Sequence, residues 1–270
     1  MNTMEITDGR WRALARSSPW RWRSVHLTWH YALDDEDAVA WLRDRTDLRV
    51  EHAGRVDVAH HEQPAMTPPR PLPRAHEIAP VLDADGLVTV RPDRMAADLE
   101  DPFWQTYLWI ALLDPVELAD GDWSRDPATG HEVRGDPPVL LPDPYERLGW
   151  PTLGPVPGTV LADLRETERR GRRTWWAQVT PTWAYDPRCS CCPLLRGEVT
   201  EWLESSGGGT VSPFTGHPEG YEVALDVETG ICVAARPIGP ASPFAGHDVT
   251  IHEVDGTYPD EMFEAAPLPV

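Results

Sequence analysis

Apolar and polar residues alternate most regularly near the end of the chain. Over residues 221–227 every second side chain is apolar, Thr229-Gly230 supplies turn residues, and a second apolar run starts at Ile231. Alternation on both sides of a short turn predicts a β-hairpin. A third strand starting at Asp248 and a short closing helix that ends at Phe263 are expected to follow. This region therefore predicts a curved antiparallel sheet.

Periodicity also places the other elements. Predicted helices cover residues 5–16, ended by Ser17-Ser18-Pro19, and residues 103–113, opened by Asp101-Pro102. Predicted strands cover residues 20–31, 38–43, 48–53, 55–61, 78–83, 87–91, 159–166 and 172–181. The helix at 103–113 carries apolar residues on nearly every side, so it is expected to be buried all round or to cover a concave surface.

Two proline-rich segments interrupt this pattern. Five prolines lie between residues 63 and 74, and residues 114–157 are rich in Pro, Gly and Asp with little periodicity. Such compositions are typical of exposed loops. Because the chain shows no internal repeat and no clear boundary, residues 1–270 are predicted to form a single domain with these two loop insertions.

Composition excludes several classes of function. The net charge of −20 and pI near 4.8 argue against nucleic acid as a partner. The chain contains no lysine, so a pyridoxal Schiff base and a phosphate-loop lysine are both excluded. No apolar stretch is long enough for membrane insertion, and the N-terminal segment has no signal-peptide pattern, so a cytoplasmic location is expected. Five arginines lie between residues 165 and 173; an exposed hairpin tip explains them more simply than an anion site.

The order of elements resembles a known superfamily. Asp-x-x-Thr-Gly at residues 226–230 and Pro-Asp-x-x-Phe at residues 259–263 carry the likeness, together with the helix, meander and buried helix before them. In this respect the chain is similar to the LolA/RseB-like superfamily of lipoprotein carriers and anti-sigma regulators. The resemblance implies an α+β fold, a curved antiparallel β half-barrel plugged by helices on its concave face, which holds apolar ligands. The segment CSCCPLL at residues 189–195 also resembles a motif of cytoplasmic actinobacterial proteins.

Tryptophan is unusually frequent, with 13 residues in 270. These side chains either fill the core of a wide half-barrel or line a pocket for an apolar or planar ligand. On the second interpretation the protein binds a hydrophobic or aromatic small molecule in the half-barrel cavity. The candidate ligand-binding residues are Trp20, Trp22, Trp29, Trp104, Tyr107, Trp175 and Trp183.

The four cysteines are the candidate metal ligands. Cys189, Cys191 and Cys192 lie within four residues, and Cys232 falls on a predicted strand. Clustered thiolates suit a soft metal such as zinc, which takes four ligands. The fourth ligand is Cys232 or a histidine, with His217 and His252 as candidates. Reduced structural thiols, or a redox-responsive pair, are the alternatives.

Three functions follow from these features. The first is the cytoplasmic binding protein for a hydrophobic small molecule, for which no other cofactor is expected. The second is a cavity-shaping enzyme of secondary metabolism without a recognisable catalytic triad, in which strand histidines such as His26, His30 and His252 act as bases. The third is a thiol-based metal or redox-responsive interaction protein. The sequence identifies no catalytic residue and does not decide whether catalysis occurs.

Overall fold

A nine-stranded antiparallel sheet organises the chain. The computed structural model describes residues 5–31, 36–60, 79–92, 103–122, 124–131, 156–206, 216–241 and 246–264. The strands are β1 (Ser24–Tyr31), β2 (Ala38–Arg43), β3 (Asp47–His52), β4 (Arg55–His60), β5 (Val81–Leu82), β6 (Val88–Val90), β7 (Thr159–Arg169), β8 (Arg172–Pro181), β9 (Gly220–Asp226), β10 (Cys232–Ile238) and β11 (His247–Val254). The helices are α1 (Asp8–Arg21), α2 (Tyr107–Leu113) and α3 (Glu198–Ser206), with short 3₁₀ helices at Val116–Leu118 and Asp260–Phe263.

The sheet is open and curved. Its strand order is β4-β3-β2-β1-β11-β10-β9-β8-β7, so β4 and β7 form the two edges, while β5 and β6 make a separate small hairpin. Bulges interrupt the β1–β11, β7–β8 and β9–β10 pairs, and bulges bend the strands that carry them. The predicted α+β architecture, a curved antiparallel half-barrel with helices on its concave face, is confirmed.

Alternation of burial gives the sheet two different faces. On β2 the pattern is strictly buried then half-buried, and on β1 Val25, Leu27 and Trp29 are buried on one face. Adjacent side chains of a strand point to opposite faces, so His26 and His30 lie on the other, convex face. The helices cover the concave face, which therefore holds the core.

Helix α1 continues past its predicted end. The prediction that Ser17-Ser18-Pro19 terminates it is wrong, because Pro19 lies inside the helix and Arg21 is its last residue. The hydroxyl of Ser17 donates to the Ala13 carbonyl at 2.6 Å, and that of Ser18 donates to the Leu113 carbonyl at 2.5 Å. These bonds hold the last turn, so the predicted strand at residues 20–31 starts only at Ser24.

Gly230 allows α1 to pack on the β9–β10 turn. Its φ of +76° lies in the left-handed region, and a Cβ there would lie 2.8 Å from the Leu14 carbonyl oxygen. The turn itself is closed by Asp226, whose Oδ1 accepts from the Thr229 backbone N–H and hydroxyl. The Asp-x-x-Thr-Gly sequence therefore serves both the turn and the helix contact.

Helix α2 is shorter than predicted but buried as expected. It begins at Tyr107 because Gln105 adopts a positive φ of 57° and a β-bridge joins Trp104 to Thr106. All residues from Leu108 to Leu113 are buried. The proposed Asp101-Pro102 start lies outside the described residues.

The predicted insertions are only partly described. Residues 63–74 lie outside the described part of the chain, as do residues 132–155. The described part of the second insertion contains the 3₁₀ helix at Val116–Leu118, and Gly121 forms bridges to Val156 and Tyr185. None of the helices within the described ranges is long and apolar enough to cross a membrane.

Candidate functional site

The tryptophans of the concave face contact one another. Three tryptophan rings form a triad with centroid separations of 5.5–5.9 Å: Trp29 on β1, Trp104 just before α2, and Trp109 on α2. Trp29 is 1% exposed, Trp104 is 6% exposed and Trp109 is fully buried. The Trp104 Nε1 also donates to Asp57 Oδ2 at 3.1 Å. At this position the concave face is filled by protein side chains.

The other candidate ligand-binding residues lie in different surroundings. Trp22 and Trp175 are buried, and their Nε1 atoms donate to Ser18 Oγ and Glu166 Oε2, respectively. Trp20 is half-buried, with the Arg91 guanidinium 5.5 Å from its ring. Tyr107 is 47% exposed and its ring lies 5.2 Å from that of Phe103.

Trp183 lines a cleft of about 190 Å³ between the β8–β9 region and the start of α3. We call this the Trp183 cleft. Its walls are Thr180, Pro181, Trp183, Leu195, Arg196, Gly197, Glu198, Val199, Thr200, His217, Pro218 and Tyr221. The Trp183 ring also makes an edge contact with Trp202 of α3, at 6.0 Å between centroids.

Beside this cleft, residues 188–194 form a loop that we call the thiol loop. It brings together Cys189, Cys191 and Cys192, the thiol cluster, whose sulfur atoms all lie within 4.8 Å of one another. The Cys189–Cys191 sulfur separation is 2.8 Å and the Cys191–Cys192 separation is 3.6 Å. Cys191 is exposed and the other two are half-buried. The cluster is thus compact and reachable from solvent.

One buried carboxylate fastens both ends of the thiol loop. Glu117, which is 3% exposed, accepts from the Arg188 N–H at 3.1 Å and from the Leu194 N–H at 2.9 Å. It also accepts a short hydrogen bond from the Tyr185 hydroxyl. Asp114 adds an ion pair with the Arg188 side chain at 3.0 Å. The loop that carries the thiols is therefore held by a network rather than by secondary structure.

Burial shapes the titration of this network. Burial raises the pKa of Glu117, although its hydrogen bond from Tyr185 opposes the change. Burial also raises the pKa of Tyr185 well above its usual value. For Asp114 the burial effect is outweighed by Arg91 and Arg188, so its pKa is lowered. The two acids thus differ: Asp114 is an anion matched by cations, and Glu117 is fastened mainly by neutral donors.

The three thiols of the cluster also differ from one another. Burial opposes ionisation of Cys189, but hydrogen bonds from Cys191 and Cys192 outweigh it and lower its pKa. Burial and the neighbouring Cys189 raise the pKa of both Cys191 and Cys192. Cys189 is therefore the first thiol to ionise, and its thiolate is stabilised by the other two.

The structure brings together three of the four cysteines. Within the described ranges the cluster contains neither Cys232 nor a histidine. Cys232 is fully buried on β10, and its thiol faces the Ala234 carbonyl at 3.6 Å. His217 lines the Trp183 cleft, with its Nε2 3.7 Å from Glu201, and His252 on β11 bonds Thr28 at 2.7 Å. Three soft thiol donors nevertheless form a suitable donor set for a thiophilic metal.

The strand histidines form a separate group on the convex face. The His26 ring stacks on Trp41 at 4.6 Å and lies 4.8 Å from the His252 ring. Burial lowers the pKa of His26, and His252 lowers it further. His30 Nδ1 lies 2.5 Å from Asp37 Oδ1. Each of these histidines thus has a hydrogen-bond or ring partner on the sheet surface, and none of the contacts indicates a catalytic role.

Sequence reasoning missed the residues that position the thiol loop. Glu117 and Asp114 fall in a segment read as an insertion loop, and Tyr185 was not singled out. The hydrogen-bond partners of Glu117 lie 68–77 residues away along the chain. Asp114 and its partner Arg188 are 74 residues apart. The one available signal was local: acidic residues stand next to a continuous apolar run, Leu108–Leu113, where burial is expected.

No family model matches the chain, and no curated protein matches it in sequence. Among solved structures, the crystal structure of MucB aligns with 13% sequence identity and a TM-score of 0.34. The alignment covers 95% of this chain and 62% of MucB, so the chain spans less than two thirds of that protein's length. The architecture expected from the LolA/RseB-like resemblance accordingly rests on the observed sheet itself.

Proposed function

We propose that this protein binds a thiophilic metal ion through the thiolates of Cys189, Cys191 and Cys192. The observation that carries the proposal is the convergence of three sulfur atoms to within 4.8 Å on a surface loop. The fastening of that loop to buried Glu117 supports it, because a preorganised loop loses less conformational entropy when a metal binds.

A zinc-type ion with one open coordination position fits this donor set. Zinc–sulfur bonds of about 2.3 Å place tetrahedral thiolates about 3.8 Å apart. The observed separations of 2.8 and 3.6 Å are about 1.0 and about 0.2 Å shorter than that spacing, so the thiols of Cys189 and Cys191 must rotate apart to take up the ion. Sites with three protein ligands leave the fourth position to water or a substrate. The exposure of Cys191 supports an open position that solvent can reach.

Metal stoichiometry tests this proposal. Protein equilibrated with zinc and dialysed is expected to retain about one ion per chain by elemental analysis. The Cys191→Ser and Cys192→Ser variants are expected to lose it, whereas Ser190→Ala, in the same loop, is the matched control and retains it. Retention of zinc by both cysteine variants, or no retention by the wild type, contradicts the proposal.

A second function is favoured by the Trp183 cleft: binding of a hydrophobic or aromatic small molecule. The notable feature is a half-buried tryptophan beside Tyr221, Pro181 and Leu195. A volume of about 190 Å³ is below the roughly 300–1,000 Å³ of drug-sized pockets, so the ligand has the size of one or two small rings. The lining of this cleft does not include Trp29, Trp104 or Trp109, whose rings pack against one another.

Native mass spectrometry with a panel of small aromatic compounds tests the second function. The Trp183→Ala variant is expected to lose the bound compound, and Tyr107→Ala, an exposed aromatic change elsewhere, is expected to keep it. Binding that survives in Trp183→Ala rules this cleft out.

A cytoplasmic location and a single domain belong to the same proposal. All four cysteines are free thiols, which is typical of reducing compartments. The sheet pairs β1, near the start of the chain, with β11, near its end, as expected for one folding unit.

A further inference from the structure

We propose that metal binding at the thiol cluster is coupled to the Trp183 cleft through Arg196, so that the bound ion stabilises α3 and the cleft wall. This inference rests on the proposed metal-binding function. It assigns to Arg196 the role of a positioning residue that joins two sites. The site is thereby one whose metal occupancy regulates a neighbouring binding surface.

Arg196 contacts three separate parts of the molecule. Its guanidinium Nη2 donates to the Cys191 carbonyl inside the thiol loop. Its Nη1 lies 3.9 Å from Glu204 Oε2 on α3. Its own carbonyl accepts from the Tyr221 hydroxyl of β9 at 2.6 Å. One residue therefore links the thiol loop, the helix and the strand that form the cleft.

The Arg196 side chain connects the thiol loop to α3, so it can pass a movement of the loop on to the helix. Glu117 holds the N–H groups of Arg188 and Leu194, which limits movement at the two ends of the loop. A rearrangement of the thiols upon metal binding is thus confined between these ends. Within that interval, the Cys191 carbonyl is held by a side chain that also reaches α3.

Charge sets the direction of the coupling. Three thiolates around a divalent ion carry a net charge of about −1, on the loop whose Cys191 carbonyl the Arg196 guanidinium contacts. Attraction to this charge strengthens the Arg196–Cys191 contact. Because the Arg196 side chain is only 14% exposed, solvent screens the attraction less than it would between two fully exposed groups. The metal is therefore expected to tighten Arg196 and, through it, α3 and Tyr221.

The helix is well placed to report such a change. It begins at Glu198, two residues after Arg196, and the Gly197 carbonyl accepts from the Thr200 hydroxyl and from the Glu201 N–H. Trp202 at 43% exposure and half-buried Leu203 show that α3 lies at the surface. Surface helices with few buried contacts open locally more easily than the core.

Hydrogen exchange followed by mass spectrometry tests the coupling. In the wild type, saturating zinc is expected to slow exchange in peptides covering residues 197–206 by about fivefold or more, the low end of measured coupling energies. The Arg196→Gln variant is expected to bind zinc without this slowing. Arg125→Gln is the matched control, because Arg125 lies over Trp202 at 5.1 Å but its ion pair is with Asp122. Tyr221→Phe is expected to reduce the slowing while leaving zinc stoichiometry unchanged.

The outcomes separate this inference from the function on which it rests. If the wild type binds no zinc, metal binding itself is refuted, and the coupling with it. If zinc binds and exchange in α3 is unchanged, the coupling alone is overturned. Equal slowing in wild type and in Arg196→Gln overturns the role of Arg196. Slowing in the wild type and in Arg125→Gln, but not in Arg196→Gln, supports it.

Discussion

The tryptophan triad and the thiol cluster each concentrate one residue type, but they differ in what surrounds the side chains. Trp29, Trp104 and Trp109 are at most 6% exposed and contact one another across β1 and α2. Cys191 is exposed, and the loop that carries it is held from beneath by Glu117. The rings of the triad are covered by one another and present no free surface to a ligand. The thiol cluster instead exposes a sulfur atom to solvent, where an ion can reach it.

This difference shows that an abundant residue type does not by itself mark a binding site. Aromatic rings gain free energy by removing area from water, so they pack together where a concave face lets them. Thiolates instead gain free energy by coordinating a soft ion. Thiols gathered on a surface loop remain free to do so, because no protein group covers them all. The number of tryptophans in the sequence predicted a binding site at those residues. The positions of the side chains in the structure indicate a binding site at the three cysteines instead.

Removing the centre of the triad is the change with the largest expected effect. Trp109→Ala is expected to destabilise the protein by about 3–5 kcal/mol, because the cavity left by a fully buried ring is only partly refilled. Urea denaturation followed by circular dichroism measures the change. Trp202→Ala, at an exposed position, is the control and should cost about 1 kcal/mol or less. A small loss for Trp109→Ala would mean that the concave face is not tightly packed.

The interior can also be tested through its exclusion of charge. His247 on β11 is 5% exposed, and its Nε2 lies 3.0 Å from the Cys232 carbonyl. Burial lowers its pKa to about 4, although the bond to Cys232 and the charge of Asp248 oppose the change. The folded protein thus binds fewer protons than the unfolded chain, so stability is present above pH 6.5 and is lost as the pH falls toward 4.

The loss attributable to His247 is up to about 3 kcal/mol. Urea denaturation at pH 7 and at pH 4.5 measures it in the wild type and in His247→Gln, which does not titrate. The variant is expected to show a smaller loss over this interval. Glu117 titrates in the opposite sense, because its raised pKa favours the folded state at low pH. Parallel pH profiles for the two proteins would show that His247 is not held neutral.

Glu117→Gln tests the thiol-loop side of the comparison. The amide keeps the size of the side chain but presents one acceptor oxygen to donors at Tyr185, Arg188 and Leu194. Zinc affinity is expected to fall by about 10–100-fold, as for other residues that orient metal ligands. A competition titration with a chelating dye measures the dissociation constant. Tyr185→Phe, which removes one of the three donors, should give a smaller loss; unchanged affinity in both variants would show that the loop is not preorganised.

Local chemistry made a large part of this fold predictable. Alternation located β2 at the observed bounds and placed β7 to β11 within a few residues. The Asp226–Gly230 turn was readable because the Asp226 carboxylate, Thr229 and Gly230 act within one short segment. The arginines between residues 165 and 173 were also read as part of a hairpin, and they form ion pairs with neighbouring acids, such as Arg173 with Glu166.

Contacts between distant segments account for what could not be predicted. Helix α1 continues through Pro19 because Ser18 bonds the Leu113 carbonyl, 95 residues away. Glu117 and Leu194 are likewise 77 residues apart. Neither pairing has a periodic or compositional signal in one sequence. The three clustered cysteines were predictable as candidates because they are adjacent in the chain, but the anchor beneath them was not.

The smallest effect is expected from Cys232, and it decides between two donor sets. The sequence left Cys232 as a possible fourth ligand, whereas the structure places it fully buried on β10, facing the Ala234 carbonyl. Burial also raises the pKa of this thiol, which disfavours the thiolate that a metal requires. Cys232→Ala is therefore expected to cost about 1 kcal/mol of stability while leaving zinc stoichiometry unchanged.

Elemental analysis and thiol titration check this expectation together. In native wild-type protein, Cys191 should react with a thiol reagent while Cys232 reacts only after unfolding, since one is exposed and the other is buried. Zinc should protect the cluster from the reagent in both wild type and Cys232→Ala. If the variant loses its zinc while remaining folded, Cys232 on β10 is a ligand of the metal. The metal site would then include the interior of the protein as well as the thiol loop.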